Sequence, residues 1–295
     1  MMLRIMTHNQ WKNDDNLPAW VEQGKDCSAA VRMRGFTRVY AETLPDIIGG
    51  QEVSATMADL LIRYTAENGM RYALLWGRDT PILYRPDKLE LVDSEFSLYP
   101  DEFPGHEGVF NNSQTKSYAI AVFRIKESGK LLIFASTHLW WKSGKPSSPD
   151  YQPYSDEARA YQISLLITRI DALQEKYACP AIIVGDLNAD YQSLAVGAAF
   201  ARGFVHAHDV ATEYADETMA ITIVLPGATT STIGILPLKQ PSTIFCCAAC
   251  RRGLFRALNA SHLRIISRFP TIRRRILIWS FKYKRASTTC LLFLR

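Results

Sequence analysis

Four apolar runs in this 295-residue chain stop abruptly at side chains capable of chemistry. They end in THNQW (residues 7–11), GGQEV (49–53), STHLWW (136–141) and GDLNAD (185–190), which supply Asn9, Gln51 with Glu52, His138, and Asp186 with Asn188. Each has a plain structural reading on its own. An Asn after a strand is commonly a turn residue, Glu52 can cap a following helix, and His138 can sit half-buried and satisfied. The Asp and Asn of GDLNAD are ordinary loop formers. The whole set, all at strand ends, is harder to explain as turns. A sheet holds strand-end groups rigidly while the loops leave room for a substrate. A carboxylate with amide and carboxylate companions is a hard, oxygen-rich donor set, suited to Mg2+ or Mn2+ rather than to zinc, which favours more His or Cys. A phosphoryl transition state gathers negative charge on oxygen, so a metal, a histidine and an amide N–H donor are useful around it. An Asp beside an attacking water can orient it or take its proton.

The elements that must position these groups can be read from apolar spacing. MLRIMTHN reads as a strand, and residues 28–44 as a helix with Val31, Phe36, Val39 and Leu44 at helical spacing, stopped by Pro45. DIIGGQEV is a buried strand, followed by a helix capped at Ser54 and closed by Gly69. Strands RYALLW, TPILYR and LELVDSEFSLY come next, then a hairpin, SYAIAVFRIKESGKLLIFASTHL, turning at ESGK. DEARAYQISLLITRIDALQEKY is a long amphipathic helix, PAIIVGDLNAD a buried strand running into a loop, and SLAVGAAFARG a last helix. Many strands with helices set between them predict sheets covered by helices rather than a purely parallel sheet.

With 47% hydrophobic and 21% charged residues, the chain can bury a large core. The start, MMLRIMTHNQW, reaches polar and aromatic residues too soon for an apolar targeting segment, and no apolar run is long enough to span a bilayer. Cys27 and Cys179, the only cysteines of the first 240 residues, do not make a disulfide framework. The expectation is a soluble, cytoplasmic monomer. Charge is uneven: none of the 29 Asp and Glu lies beyond Glu217, whereas 13 of the 34 Lys and Arg do, so the first 217 residues carry a net −8. Two compositions meet near residue 220.

The ordered set THNQW, PDIIGGQEV, TPILYRPDKLEL, STHLWW and GDLNAD resembles the endonuclease/exonuclease/phosphatase family, the DNase-I-like metal-dependent phosphohydrolases, over roughly residues 3–220. The resemblance implies a four-layer α/β sandwich, two packed mixed sheets with helices outside. It implies a Mg2+- or Mn2+-dependent hydrolase of phosphate ester bonds: a phosphodiesterase, nuclease or phosphatase. Glu52 is then the principal metal ligand with Asn9 beside the metal. His138 contacts the scissile phosphate, Asp186 positions or deprotonates the water, and Asn188 binds a phosphate oxygen. Substrate stays open among nucleic acid, nucleotides, phosphoinositides, sphingomyelin and small phosphate monoesters. Many members have a phosphate-touching Arg before the middle hairpin; here Lys116 stands in TKSYAIAVF, a point charge without the bidentate fork. STHLWW followed by EARAYQ is similar to the branch that removes nucleotides from RNA ends, although Arg159 and Gln162 read equally as a solvated helix face.

The resemblance also implies a strand I-D-H/Y-I and a final S-D-H, and neither string occurs after residue 188. A reading-frame slip near residue 220 accounts for this. Taking each codon as the last base of one residue and the first two of the next, PSTIFCCAAC permits Ile-Asp-His-Ile, with Asp at Thr243 and His at Ile244. PTI at residues 270–272 permits Ser-Asp-His. Cys247 then becomes a leucine and the cysteine cluster an artefact; only Cys247 and Cys250 have zinc spacing in any case. On this reading residues 1–220 form the family-like domain, and residues 221–295 are a basic, acid-free, out-of-frame tail. That tail is expected to pack poorly and to leave the C-terminal strands missing or disrupted and a sheet edge open. Two other functions stay in view: a non-catalytic pseudoenzyme or phosphate-binding module, and a nucleic-acid binder using the basic tail.

Overall fold

The computed structural model describes residues 3–210 and, in the tail, the strands at 262–265, 275–280 and 288–294. Two six-stranded sheets face each other. The first has the order β10 (His262–Ile265), β12 (Thr288–Leu294), β1 (Leu3–Asn9), β2 (Ile47–Gln51), β4 (Ile82–Tyr84), β3 (Ala73–Leu75). The second runs β5 (Leu89–Leu98), β6 (Ser117–Ile125), β7 (Leu131–His138), β8 (Ala181–Asp186), β11 (Arg275–Ser280), β9 (Phe204–His206). Between them lies an apolar layer that includes Ile5, Ile47, Ile82, Phe123, Phe134 and Val184. Helices α2 (Ala29–Thr43) and α3 (Ala55–Glu67) cover the outside of the first sheet through Met33, Tyr40, Met57 and Leu61. Helices α4 (Ser155–Tyr177) and α5 (Leu194–Ala201) cover the second through Ile163, Leu166, Ile170 and Val196. Short helices α1 (Pro18–Val21) and α6 (Ala207–Val210) are the others among the described residues. The four-layer α/β sandwich is present.

Local chemistry explains the starts and stops. Ser54 accepts a hydrogen bond from the Met57 amide and Ser193 from Val196, each satisfying an orphan donor at a helix start. Asp156 and Glu157 lie in the first turn of α4 and Lys176 in its last, matching the helix dipole. The sheets approach closely at Gly49, where a Cβ would overlap the Val184 side chain.

Two expectations change. The buried stripe of α2 is Ala29, Met33, Thr37, Tyr40 and Thr43, while Val31 and Leu44 are exposed. Polar groups on that stripe are satisfied internally: the Tyr40 hydroxyl meets His8 Nδ1 at 2.8 Å and Gln10 Nε2 at 3.1 Å, and Thr43 donates to the Val39 carbonyl. The tail also supplies strands that were expected to be missing or disrupted. β12 runs antiparallel to β1, and β11 lies parallel to both β8 and β9. Sheet pairing is made by backbone groups, so short apolar runs such as RILIWS and TTCLLFL can complete a ladder whatever their side chains encode. Codons 217–222, the shifted motifs at Thr243, Ile244 and residues 270–272, and Cys246, Cys247 and Cys250 lie outside the described residues.

His8 is fully enclosed, and burial, with the Arg32 guanidinium adding to it, lowers its imidazole from 6.5 to about 3. The unfolded chain therefore takes up a proton on this residue at a pH where the folded one does not. Its contribution to stability is complete above 6.5 and is lost as pH falls toward 3, at up to about 1.4 kcal/mol per unit. Urea midpoints measured from pH 7 to 4 should fall more steeply for the natural chain than for His8→Gln. Parallel limbs would remove His8 as the source.

Candidate active site

Two parallel strand pairs, one from each sheet, end together. In the first sheet Asn9 and Gln51 are register partners at the ends of β1 and β2; in the second, His138 and Asp186 are partners at the ends of β7 and β8. Glu52 follows β2 with φ of 54°, and Asn188 follows β8 with φ of 47°. These left-handed conformations are uncommon for residues with a Cβ and turn both side chains out of the strand direction. Gln51 ties the sheets behind the site, donating from Nε2 to Ser136 Oγ at 3.2 Å, while Ser136 donates to the Gly50 carbonyl.

The sequence-selected residues converge. Asn9 Nδ2 donates to Glu52 Oε1 at 3.0 Å and to Asp186 Oδ2 at 2.8 Å, bridging the two carboxylates across the sheets. Glu52, His138 and Asp186 each offer a ligand atom, all within 4.8 Å of one another. Asn188 closes the edge: its amide N–H donates to Asp186 Oδ1 at 3.0 Å and its Nδ2 to the Leu139 carbonyl. Lys116, standing before β6, brings Nζ to 2.8 Å from His138 Nε2. Asn9, His138, Asp186 and Lys116 are buried, and Glu52 is nearly so.

The donor chemistry fits a hard divalent cation. Two carboxylates held apart by one amide form an oxygen-rich cluster. His138 has Asp79 on one ring nitrogen and Lys116 on the other, which sets it beside the oxygen donors rather than among them.

Asp79 carried no sequence signal, because GRDTP reads as an ordinary turn. Its Oδ2 lies 2.9 Å from His138 Nδ1, and both residues are buried. Lys12 approaches its other oxygen at 3.6 Å. Asp79→Ala leaves a buried ring nitrogen without an acceptor and should destabilise the fold by about 1–3 kcal/mol in urea unfolding. Divalent-cation titration should be unchanged, and an unaltered urea midpoint would mean the bond does not form in solution. Arg159 and Gln162 are buried rather than solvated. Arg159 donates to the carbonyls of Trp140 and Lys142, and Gln162 accepts from the Trp140 amide, fixing the loop that leaves His138. Arg32 does the same for the loop after Asn9, reaching the carbonyls of Gln10, Trp11, Asn13 and Cys27. Among the described residues no helix is long and apolar enough to cross a membrane.

No sequence-family profile matches the chain, and no curated protein sequence does. Solved structures do. An endonuclease/exonuclease/phosphatase from Bacteroides vulgatus is similar at 22% identity over 72% of this chain and 76% of its own, with a TM-score of 0.53. A family protein from Bacteroides thetaiotaomicron is similar at 18% identity over 69% of each chain, TM-score 0.52. A mannosyl-6-phosphatase from Bacteroides thetaiotaomicron is similar at 17% identity over 70% of this chain and 74% of its own, TM-score 0.53. With its paired sheets and strand-end cluster, the chain carries the fold of the endonuclease/exonuclease/phosphatase structures.

Proposed function

We propose that this chain is built as a metal-dependent phosphohydrolase of the endonuclease/exonuclease/phosphatase family, with residues 1–220 as its catalytic domain. One observation carries the reading: Asn9, Glu52, His138 and Asp186, from four strands of two sheets, meet at one point. Glu52 would be the principal ligand of Mg2+ or Mn2+, with Asn9 beside the metal, its Nδ2 on the two carboxylates and its Oδ1 accepting from the Trp11 amide. Bound there, the cation neutralises charge on phosphate oxygens. His138, oriented by Asp79 and accompanied by Lys116, faces the scissile phosphate; Asp186 orients the water and takes its proton; Asn188 binds a phosphate oxygen. Buried, free Cys27 and Cys179 fit a reducing, cytoplasmic setting.

A second reading, a module that binds metal and phosphate without turnover, is favoured for the chain as written by one observation. Ser280 is the register partner of Asp186 and Thr288 that of Asn9, so neither tail strand brings an Asp or a His to these positions. Residues 221–295 are, on this proposal, read out of frame. The test is hydrolysis of bis(p-nitrophenyl) phosphate with Mg2+ or Mn2+, beside metal titration by calorimetry. Turnover lost in Asp186→Asn supports the enzyme. Metal binding without turnover supports the module. Neither metal binding nor turnover sinks both.

A further inference from the structure

Resting on the phosphate-ester reading, we infer that Trp76 and Trp141 form a stacking subsite that makes a nucleobase-bearing phosphate ester the substrate class. Tryptophan is normally well buried, yet Trp76 and Trp141 are 42% and 47% exposed. Neither sits on a loose loop. Trp141 lies between Trp140 and Lys142, whose carbonyls are both taken by the buried Arg159. Trp76 immediately precedes the turn in which the Thr80 amide donates to the Gly77 carbonyl, Thr80 Oγ1 meets Ser117 Oγ at 3.1 Å, and Asp79 bonds His138. Each tryptophan is three residues from one partner of the Asp79–His138 hydrogen bond. Two exposed indoles are therefore tethered within about 11 Å of chain to the two residues of the hydrogen bond that orients His138.

Cations accompany them. In each of three loops leaving the site a tryptophan is followed within two positions by a basic residue: Trp11–Lys12, Trp76 with Arg78, and Trp141–Lys142. Lys142 Nζ is 5.9 Å from the Trp141 ring. Trp11 is already covered, with Arg32 over its ring at 5.1 Å and Trp20 at 5.6 Å. Trp76 and Trp141 thus remain the indoles most open to a ligand. Aromatic faces interleaved with cations bind bases by stacking and the attached phosphates by charge. A sugar phosphate without a base would use the charge alone.

Calorimetry on the full chain with 5′-AMP, ribose 5-phosphate, inorganic phosphate and an oligothymidylate decamer tests this. 5′-AMP should bind more tightly than ribose 5-phosphate. Trp141→Ala or Trp76→Ala should weaken 5′-AMP roughly 5- to 100-fold and leave ribose 5-phosphate unchanged. Trp141→Phe should restore most of the loss, which separates stacking from misfolding. Tighter binding of the decamer assigns the subsite to single-stranded nucleic acid, and equal binding to nucleotides. If 5′-AMP binds through these tryptophans while phosphate and ribose 5-phosphate do not bind, the subsite stands and the phosphate-ester reading fails. Equal affinity for 5′-AMP and ribose 5-phosphate, or equal loss of both in the alanine variants, overturns the inference.

Discussion

Replacing Glu52 with glutamine is expected to lower affinity for Mg2+ or Mn2+ at least a hundredfold, about 2.7 kcal/mol, while raising the stability of the metal-free protein. Both effects come from one charge. Glu52 and Asp186 are two carboxylates sharing the single amide of Asn9, at 3.0 and 2.8 Å, in a largely buried pocket. Without a metal ion, their mutual repulsion is relieved in part by the Asn9 N–H groups and by the charge of Arg32, which also reaches Glu52. Glu52→Gln would keep the shape of the side chain and remove that repulsion, but a neutral amide is a much weaker ligand for a hard cation. Opposite signs for metal affinity and metal-free stability make the test hard to mistake for simple unfolding. Asp186→Asn should spare most metal binding and remove turnover instead. Equal loss of metal in the two variants would mean that ligand and base have been interchanged.

How much of this was legible follows from what a sequence pattern can record. Asn9, Glu52, His138 and Asp186 stood out because each interrupts an apolar run at a strand end, and the fold brings strand ends together. Asp79 was invisible because it belongs to a turn, where Asp is ordinary, and its partner is 59 positions away. Arg159 and Gln162 read equally well as a solvated face because a charged helix position facing loop carbonyls looks the same in sequence as one facing water. The stripe of α2 departs from its apolar spacing for a related reason. Thr37, Tyr40 and Thr43 read as polar, yet helix carbonyls and the interior polar groups of His8 and Gln10 satisfy the hydroxyls of Tyr40 and Thr43, leaving Val31 and Leu44 outside. Backbone pairing by the tail strands was unforeseen because missing motifs say nothing about it; a ladder asks only for extended apolar segments.

The tail carries the other large effect. Inserting one base near codon 220, so that the shifted frame is read, is expected to raise the rate of phosphate ester hydrolysis by at least about a thousandfold. Catalytic groups that act as a unit lose most of their effect when one member is missing, so a site with its metal-binding half intact and no Asp–His pair stands far below the complete one. The positions to be completed can be named from the register. On the side of the tail strands the neighbour of Asp186 in the second sheet is now Ser280, and that of Asn9 in the first is Thr288. Strands encoded by the shifted frame, bearing Ile-Asp-His-Ile and Ser-Asp-His, would take these two edges and set an acid and an imidazole beside the carboxylates. They would also return Asp and Glu to a region that now has none beyond Glu217, which should make the restored protein more soluble. Coding DNA across codons 217–222 gives a first check, and paired assays of the written and restored chains with Mg2+ give the decisive one. Equal rates for the two chains would show that residues 221–295 already supply what catalysis needs, and the slip would then have no place in the protein's function.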